Sequence, residues 1–370
     1  MARNTGVSLL LQELAENGRL SRDNFAELIG RRQEARTEAA ELAVRIQQRK
    51  SGKQVFRRAL IECTNYCRNN CSYCGIRCTN RNVSRYRLPA EEILACCGKA
   101  FRLGFRTFVL QGGEDAAFSP DAVAGLARTI KARFPECALT LSLGEQESSV
   151  YRLWKEAGAD RYLLRHESAN PEHYRFLHAE DKPERTAEAR KACLEALKAC
   201  GYQTGSGFMT GSPGQTAEHL AEDLLFLADL QPEMAGIGPF IPHPQTPFAA
   251  YPQGSAELTT FLLSVVRILL PDALIPATTA LATIAPDGRE QGILSGANVV
   301  MPNISPENAK RNYEIYQGKI SEGAESAEGL AVLRERIQNI GYVLSDGRGD
   351  FSATERQDAE PANRRKICTM

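Results

Sequence analysis

The 370-residue sequence predicts an α/β fold: one (β/α)8 TIM barrel, with a helical extension before it and an extended tail after it. Three observations carry this. Short apolar stretches alternate with longer amphipathic ones from Val55 onward, the order that builds a parallel sheet wrapped in helices. The length suits one barrel of about 200 to over 400 residues better than two average domains. The segments densest in Gly, Cys and charged residues fall just after the strand candidates, where a barrel collects its chemistry.

Taken in chain order, residues 7–49 repeat apolar positions on a charged background (Leu9, Leu10, Leu14; Phe25, Leu28, Ile29; Leu42, Val44, Ile46). That rhythm predicts amphipathic helices over an extension spanning 1–50. The barrel is expected over 51–320. Its strand candidates are 55–62, 107–111, 138–143, 161–165, 203–209, 234–240, 273–277 and 298–301. Helices are expected between them at 89–104, 119–133, 147–158, 184–201, 216–230 and 255–270, with one more near 306–317. Residues 321–370 should hold a helix and then, past Gly341, a polar, turn-rich tail that is extended and partly disordered.

Charge excludes some functions. With 45 basic and 45 acidic residues and no long run of one sign, neither nucleic acid nor an anionic membrane is an expected partner. No stretch approaches the roughly 18 apolar residues of a membrane span, and Met1-Ala-Arg-Asn-Thr-Gly6 lacks the pattern of a secretion signal. A cytoplasmic protein is expected. Its eleven cysteines, irregularly spaced, then suit thiolate ligands and core thiols rather than disulfides. Cys96, Cys97, Cys137, Cys193 and Cys200 read as core thiols.

The first strand runs directly into Cys67, Cys71 and Cys74, spaced C-x3-C-x2-C with Tyr73 before the last cysteine. Three close thiolates can hold three corners of a [4Fe–4S] cube and leave one iron open. A ferredoxin cluster would take four cysteines, whereas an open iron can be chelated by the amino and carboxylate groups of S-adenosylmethionine (SAM). Zinc is the alternative, but it favours paired knuckles, and the nearest histidine is the distant His166. Cys63 and Cys78 flank the triad without completing the pattern and read as bystanders.

The remaining motifs also follow strands. Gln111-Gly-Gly-Glu-Asp115 brings backbone close to a ligand, or is an ordinary β-to-α turn. Thr140 and Ser142 share one face of their strand. In Arg161-Tyr-Leu-Leu-Arg-His-Glu-Ser168, Arg165 and Glu167 suit a carboxylate and a polar hydroxyl or amine, or else pair with each other at the rim. Arg190 on the next helix is within reach of the same ligand, or is solvated. Gly205-Ser-Gly-Phe-Met-Thr-Gly-Ser-Pro-Gly-Gln-Thr216 sets backbone and Met209 against a flat ligand, although Met209 equally fits a core. The proline-rich loop 236–248 carries His243, a candidate polar contact; a P-x-x-P ligand for a partner domain is the other reading of that loop. Ala277-Thr-Thr-Ala280 and Gly296-Ala-Asn-Val-Val-Met-Pro-Asn303 complete the set.

Together these motifs, over roughly residues 50 to 317, resemble the HydE family of radical SAM enzymes, the maturases of [FeFe]-hydrogenase, which is related to biotin synthase and methylornithine synthase. The resemblance implies a complete barrel, a [4Fe–4S] cluster on Cys67, Cys71 and Cys74, and SAM as second cofactor. It implies a SAM site from Tyr73, Gly112, Gly113, Glu114, Glu145, Arg165, Glu167, Arg190 and Met209. It places Gln111, Thr140, Arg161, Met234, Thr278, Thr279 and Tyr313 around a substrate cavity. No protein side chain is implied as the catalyst, because the radical forms on SAM. The expected partners are a small-molecule or organometallic substrate, other hydrogenase maturases and a reductant protein. Some family members carry a second motif, C-x7-C-x2-C, near the C-terminus; residues 318–329 contain no cysteine, so no second cluster is expected.

Overall fold

The computed structural model describes residues 6–178, 184–320, 322, 323, 326 and 328–353. The chain begins with helices Gly6–Asn17, Arg22–Gly30 and Arg32–Ser51. Ala35, Ala39 and Ala43, spaced by four, form one fully buried face of the third helix and join a core cluster shared with helix Ala256–Leu269. Small side chains there let the two helix backbones approach closely.

The strands are β1 (Gln54–Arg57), β2 (Ala59–Thr64), β3 (Thr107–Gly112), β4 (Ala138–Ser142), β5 (Arg161–Leu163), β6 (Gln203–Ser206), β7 (Met209–Thr210), β8 (Met234–Ala235), β9 (Gly238–Pro239), β10 (Val299–Val300) and β11 (Val343–Ser345). A six-stranded sheet runs β2-β3-β4-β5-β6-β8 with every pairing parallel. Parallel bridges Met234↔Leu274, Pro276↔Val299 and Leu60↔Asn303 carry the ring around from β8 to β2. Alternation sorts the side chains: Ala59, Ile61, Cys63, Phe108, Leu110, Leu139, Leu141 and Tyr162 pack outward against the helices, so Glu62, Gln111, Thr140, Ser142, Arg161 and Leu163 face the barrel interior.

Three expectations are revised. The single strand expected at 55–62 is two, because β1 pairs with β10 and β11 while β2 pairs with β3; Arg58 stands at the turn between these ladders. The seventh strand, 273–277, survives only as isolated bridges, since Pro276 has no N–H to extend a ladder. The stretch after Gly341 is not a loose tail as far as Ala353: it follows helix Leu330–Asn339, adds β11 beside β1, and then closes the barrel floor. Residues 354–370 of that expected tail lie outside the described residues.

The floor is built on Arg161, fully buried at the start of β5. Its guanidinium donates to the Arg348 and Gly349 carbonyls at 3.2 and 3.0 Å, to Asp350 Oδ1 at 2.6 Å, to Thr107 Oγ1 at 3.2 Å and to Gln203 Oε1 at 3.0 Å. Thr107, Arg161 and Gln203 are the first residues of β3, β5 and β6, so the tail plugs the N-terminal end of the barrel. The chemistry-bearing loops lie at the other end.

Candidate active site

The cysteine loop follows β2 and is folded around polar hubs. Asn65 donates to the Ser84 and Asn312 carbonyls at 2.9 and 2.7 Å and accepts from Tyr86 N–H at 2.8 Å. Arg85 donates to the carbonyls of Asn65, Ile76, Arg77 and Asn80, satisfying the acceptors of an irregular loop that has no ladder to use. Next to it, Gly113 is forced: a Cβ there would lie 2.2 Å from Tyr66 O and 2.7 Å from Cys67 Cβ. Only glycine lets the turn after β3 pass so close under the loop.

Cys67, Cys71 and Cys74 all line one cavity of about 300 Å3, and neither Cys63 nor Cys78 does. Cys63 is buried in the outer core and Cys78 is exposed. Burial pushes all three triad thiols up, Cys71 to about 12, so holding them as thiolates asks for a compensating cation such as a metal cluster. Among the described residues no three Cys, His, Asp or Glu side chains converge as a single ion would require.

The same cavity is lined by Gln111, Gly112, Gly113 and Glu114 after β3, Ser142 and Gly144 at the end of β4, and Arg165 and Glu167 after β5. Tyr73, Arg190, Met209, Thr278 and Tyr313 also line it, together with Ile315 and Tyr316. Arg165 and Glu167 are its most telling members. Arg165 Nε and Nη2 and Glu167 Oε2 are buried without a hydrogen-bond partner, and Arg165 Nη2 lies 3.3 Å from Glu167 Oε2. A buried fork of donors and a buried carboxylate oxygen, both unsatisfied and both on a cavity wall, fit the carboxylate and the hydroxyls or amine of a small zwitterionic ligand. Tyr73, Met209 and Phe240 also line the cavity, backed by Leu177 and Phe248 in one apolar cluster, and offer a surface suited to a planar base.

Glu114 is already committed to the protein. It pairs with Arg68 at 3.0 Å and Arg185 at 2.7 Å and accepts from Glu145 N–H at 3.2 Å. Burial raises its carboxyl, but Arg185 and Arg190 outweigh that and hold it below the usual range. Glu145 pairs with Arg190 and lies behind the wall. Of the expected substrate-cavity residues, Gln111, Tyr313 and Thr278 come together, with Gln111 Nε2 donating to Tyr313 Oη at 3.4 Å. Thr279 begins helix Thr279–Ile284 off the wall. Thr140, Met234 and Arg161 sit deeper: Thr140 Oγ1 is buried and unpartnered, Met234 Sδ is 2.9 Å from Arg58 Nη1, and Arg161 is consumed by the floor. His243 packs beside Gly75 and 3.9 Å from Glu314, away from the cavity wall.

Sequence reasoning named Tyr313 but missed the rest of the strap of residues 313–319. Its Tyr313, Ile315 and Tyr316 face the cavity while Gly75 N–H donates to Ile315 O at 2.9 Å. Lys319 anchors it to fully buried Glu62 at 2.6 Å, and Asn303 donates to the other Glu62 oxygen at 2.8 Å. It also missed Arg185. A lysine or arginine in a polar stretch carries no mark of burial, and only the fold supplies it.

The comparisons with known proteins agree with this geometry. Residues 61–227 match the model of the radical SAM superfamily. The chain is 46% identical over 300 residues to the [FeFe] hydrogenase maturase subunit HydE of Thermotoga maritima, covering 81% of this chain and 84% of that one. It is 26% identical over 309 residues to a 3-methylornithine synthase of Methanosarcina acetivorans, covering 82% and 86%. The fold superposes on the crystal structure of methylornithine synthase (PylB) with a TM-score of 0.77 at 24% identity, covering 91% of this chain and 97% of that one. Among the described residues no helix is long and apolar enough to cross a membrane. The barrel, the cavity-facing thiols and the extent of the likeness to HydE lead to one conclusion: the chain belongs to the HydE family of radical SAM enzymes, with a [4Fe–4S] cluster and SAM as its cofactors.

Proposed function

We propose that this enzyme acts in assembly of the active-site cluster of [FeFe]-hydrogenase, and that Cys67, Cys71 and Cys74 hold its [4Fe–4S] cluster. The single observation that carries the site assignment is that these three buried thiols share a cavity with the unpartnered polar atoms of Arg165 and Glu167. When bound, the cluster supplies one electron to the sulfonium of SAM, whose cleavage gives a 5′-deoxyadenosyl radical. Arg165 would hold the SAM carboxylate, Glu167 its hydroxyls or amine, and Met209 with Tyr73 would pack against the adenine. Gln111, Thr278 and Tyr313 face the neighbouring volume and would orient the substrate, an Fe(CO)2(CN) species bearing a cysteine ligand. The strap over the mouth and the plug in the floor keep the interior dry. A reductant protein and other maturases are the partners of this reading, and the cytoplasm is its place.

The test is anaerobic. Protein reconstituted with iron and sulfide is given dithionite, SAM and, in separate arms, the organometallic precursor, lysine or dethiobiotin. Cleavage of SAM that accelerates only with the precursor supports the proposal; acceleration by lysine or dethiobiotin points to a different substrate. Cys71→Ala should bind less iron and form no 5′-deoxyadenosine, and continued formation would refute the ligand assignment.

A further inference from the structure

We infer that Asp223 is a positioning residue for the SAM site, a clamp on the strained turn that aims Arg165 and Glu167 into the cavity. The inference rests on the role of those two residues given above, and Asp223 lies outside every motif that carries the family resemblance.

The turn itself is unusual. Ser168 N–H donates to His166 O at 2.8 Å, closing a three-residue turn with Glu167 at its centre and φ of +63°. This left-handed form of the γ-turn is rare, and a side chain as long as glutamate is strained in it. Backbone strain persists only where surrounding structure over-determines it. Here the strained residue carries one of the unsatisfied groups of the cavity.

Asp223 supplies part of the constraint, beside the bond from Glu167 N–H to Gly207 O at 3.1 Å. It projects from the apolar face of helix Ala217–Leu230, among Leu220, Leu224 and Leu227, with no solvent exposure. An acid on such a face needs a reason. Its Oδ1 accepts from Ala169 N–H at 2.5 Å, just past the turn, and lies 3.3 Å from His166 Nε2, just before it. One oxygen is therefore hydrogen-bonded to the chain just past Glu167 and packed against the residue just before it. His166 is 1% exposed and is fixed from its other side by Ser206 Oγ at 2.9 Å from Nδ1, with Phe226 edge-on at 4.8 Å. On the far flank Ser168 Oγ lies 3.0 Å from His173 Nδ1. Burial drives His166 down to about 3, so its ring is neutral, and burial pushes the Asp223 carboxyl upward; the hydrogen bond in this arrangement is the one from Ala169 N–H, with His166 in contact beside it. Without that bond the flank at Ala169 is released and the turn is held at Glu167 only by its bond to Gly207, so Glu167 can relax toward negative φ, which swings its carboxylate and the adjoining Arg165 away from the cavity.

The experiment compares Asp223→Ala, Asp223→Asn and Ser206→Ala in the full chain. SAM affinity is titrated by the change it causes in the cluster's electron paramagnetic resonance signal, KM and kcat are measured separately, and amide exchange at Glu167 and Ala169 is followed in metal-free protein. Asp223→Ala should weaken SAM binding and raise KM about tenfold at unchanged iron content, with kcat at saturation little altered and faster exchange at both amides. Asp223→Asn keeps a carbonyl for Ala169 N–H and should restore wild-type behaviour. Wild-type affinity and exchange in Asp223→Ala would overturn the inference, as would equal damage in Asp223→Asn. Should Asp223→Ala not fold, Ser206→Ala decides: slackened His166 should raise KM a few-fold with faster exchange, and wild-type values for both would overturn the clamp. A wild-type protein whose signal ignores SAM would instead overturn the assignment of the SAM site.

Discussion

Replacing Arg165 should separate binding from stability. Its Nε and Nη2 are buried without hydrogen bonds, so in the ligand-free protein there is little for the substitution to break. The pair with Glu167, 3.3 Å apart and with 30% and 12% of the two side chains exposed, is worth under about 1 kcal/mol. For a chain of 370 residues that moves Tm by roughly 1–2 °C. In the complex the same two donors would form charge-assisted bonds to the SAM carboxylate, together contributing on the order of 2–3 kcal/mol. Arg165→Ala should therefore weaken SAM binding roughly 30- to 150-fold at 1.4 kcal/mol per tenfold. Arg165→Lys keeps the charge but loses the planar fork, and should lose about tenfold. The assay is titration of SAM against the reconstituted cluster's spectrum, with calorimetric melts of the same variants. Binding within threefold of wild type by Arg165→Ala, or a large drop in Tm without a binding defect, would refute the reasoning.

Three further outcomes are expected. Gly113→Ala must push its methyl into Tyr66 O and Cys67 Cβ, so it should lower iron incorporation severalfold while far-ultraviolet circular dichroism stays near wild type. Lys319→Met leaves Glu62 buried beside Asn303 alone, which should push its carboxyl, already raised by burial, further up, and faster amide exchange over residues 313–318 would report the loosened strap. Asp350→Asn removes a carboxylate whose ionisation, despite burial, Arg161 and Arg348 favour, so its folded pKa lies below the ordinary 3.8. Its contribution is complete above that ordinary value and vanishes as pH falls through the lower folded one; at 41% exposure it is screened to about 1 kcal/mol. Urea midpoints of Asp350→Asn and wild type should differ at pH 7 and converge below pH 3.8.

Much of this was readable in one dimension because local signals and long-range structure coincide there. The C-x3-C-x2-C spacing is covalent, so it places three thiols together wherever the loop goes. The alternation of Ala59, Ile61 and Cys63 against Leu60, Glu62 and Thr64 reports two faces of a strand directly. Arg58 escaped notice because the change of partners there depends on strands far along the chain. The segment after Gly341 looked loose since its glycines and aspartates are typical of turns; what orders it is Arg161, which the sequence shows only as one polar residue of a strand. Asp223 resembles any acid on an amphipathic helix until the helix is docked. The cavity role of Arg161, Thr140 and Met234, like that of Gln111, Thr278 and Tyr313, entered through family resemblance, and the barrel separates the two groups by depth, a coordinate that no spacing encodes.

The floor has a consequence for how the molecule is made. Arg161 must wait for Asp350, 189 residues later, before its charge is met. A nascent chain emerging from the ribosome therefore carries an open-ended barrel, with a cationic side chain facing its hollow, until the segment around Asp350 appears. Insertion of an oxygen-sensitive inorganic centre before release would meet a tube accessible to water from both ends, whereas loading after release meets one already stoppered. Appending a bulky fusion close behind Ala353 would test this order: it should delay acquisition of the sealed state without touching any residue of the cavity.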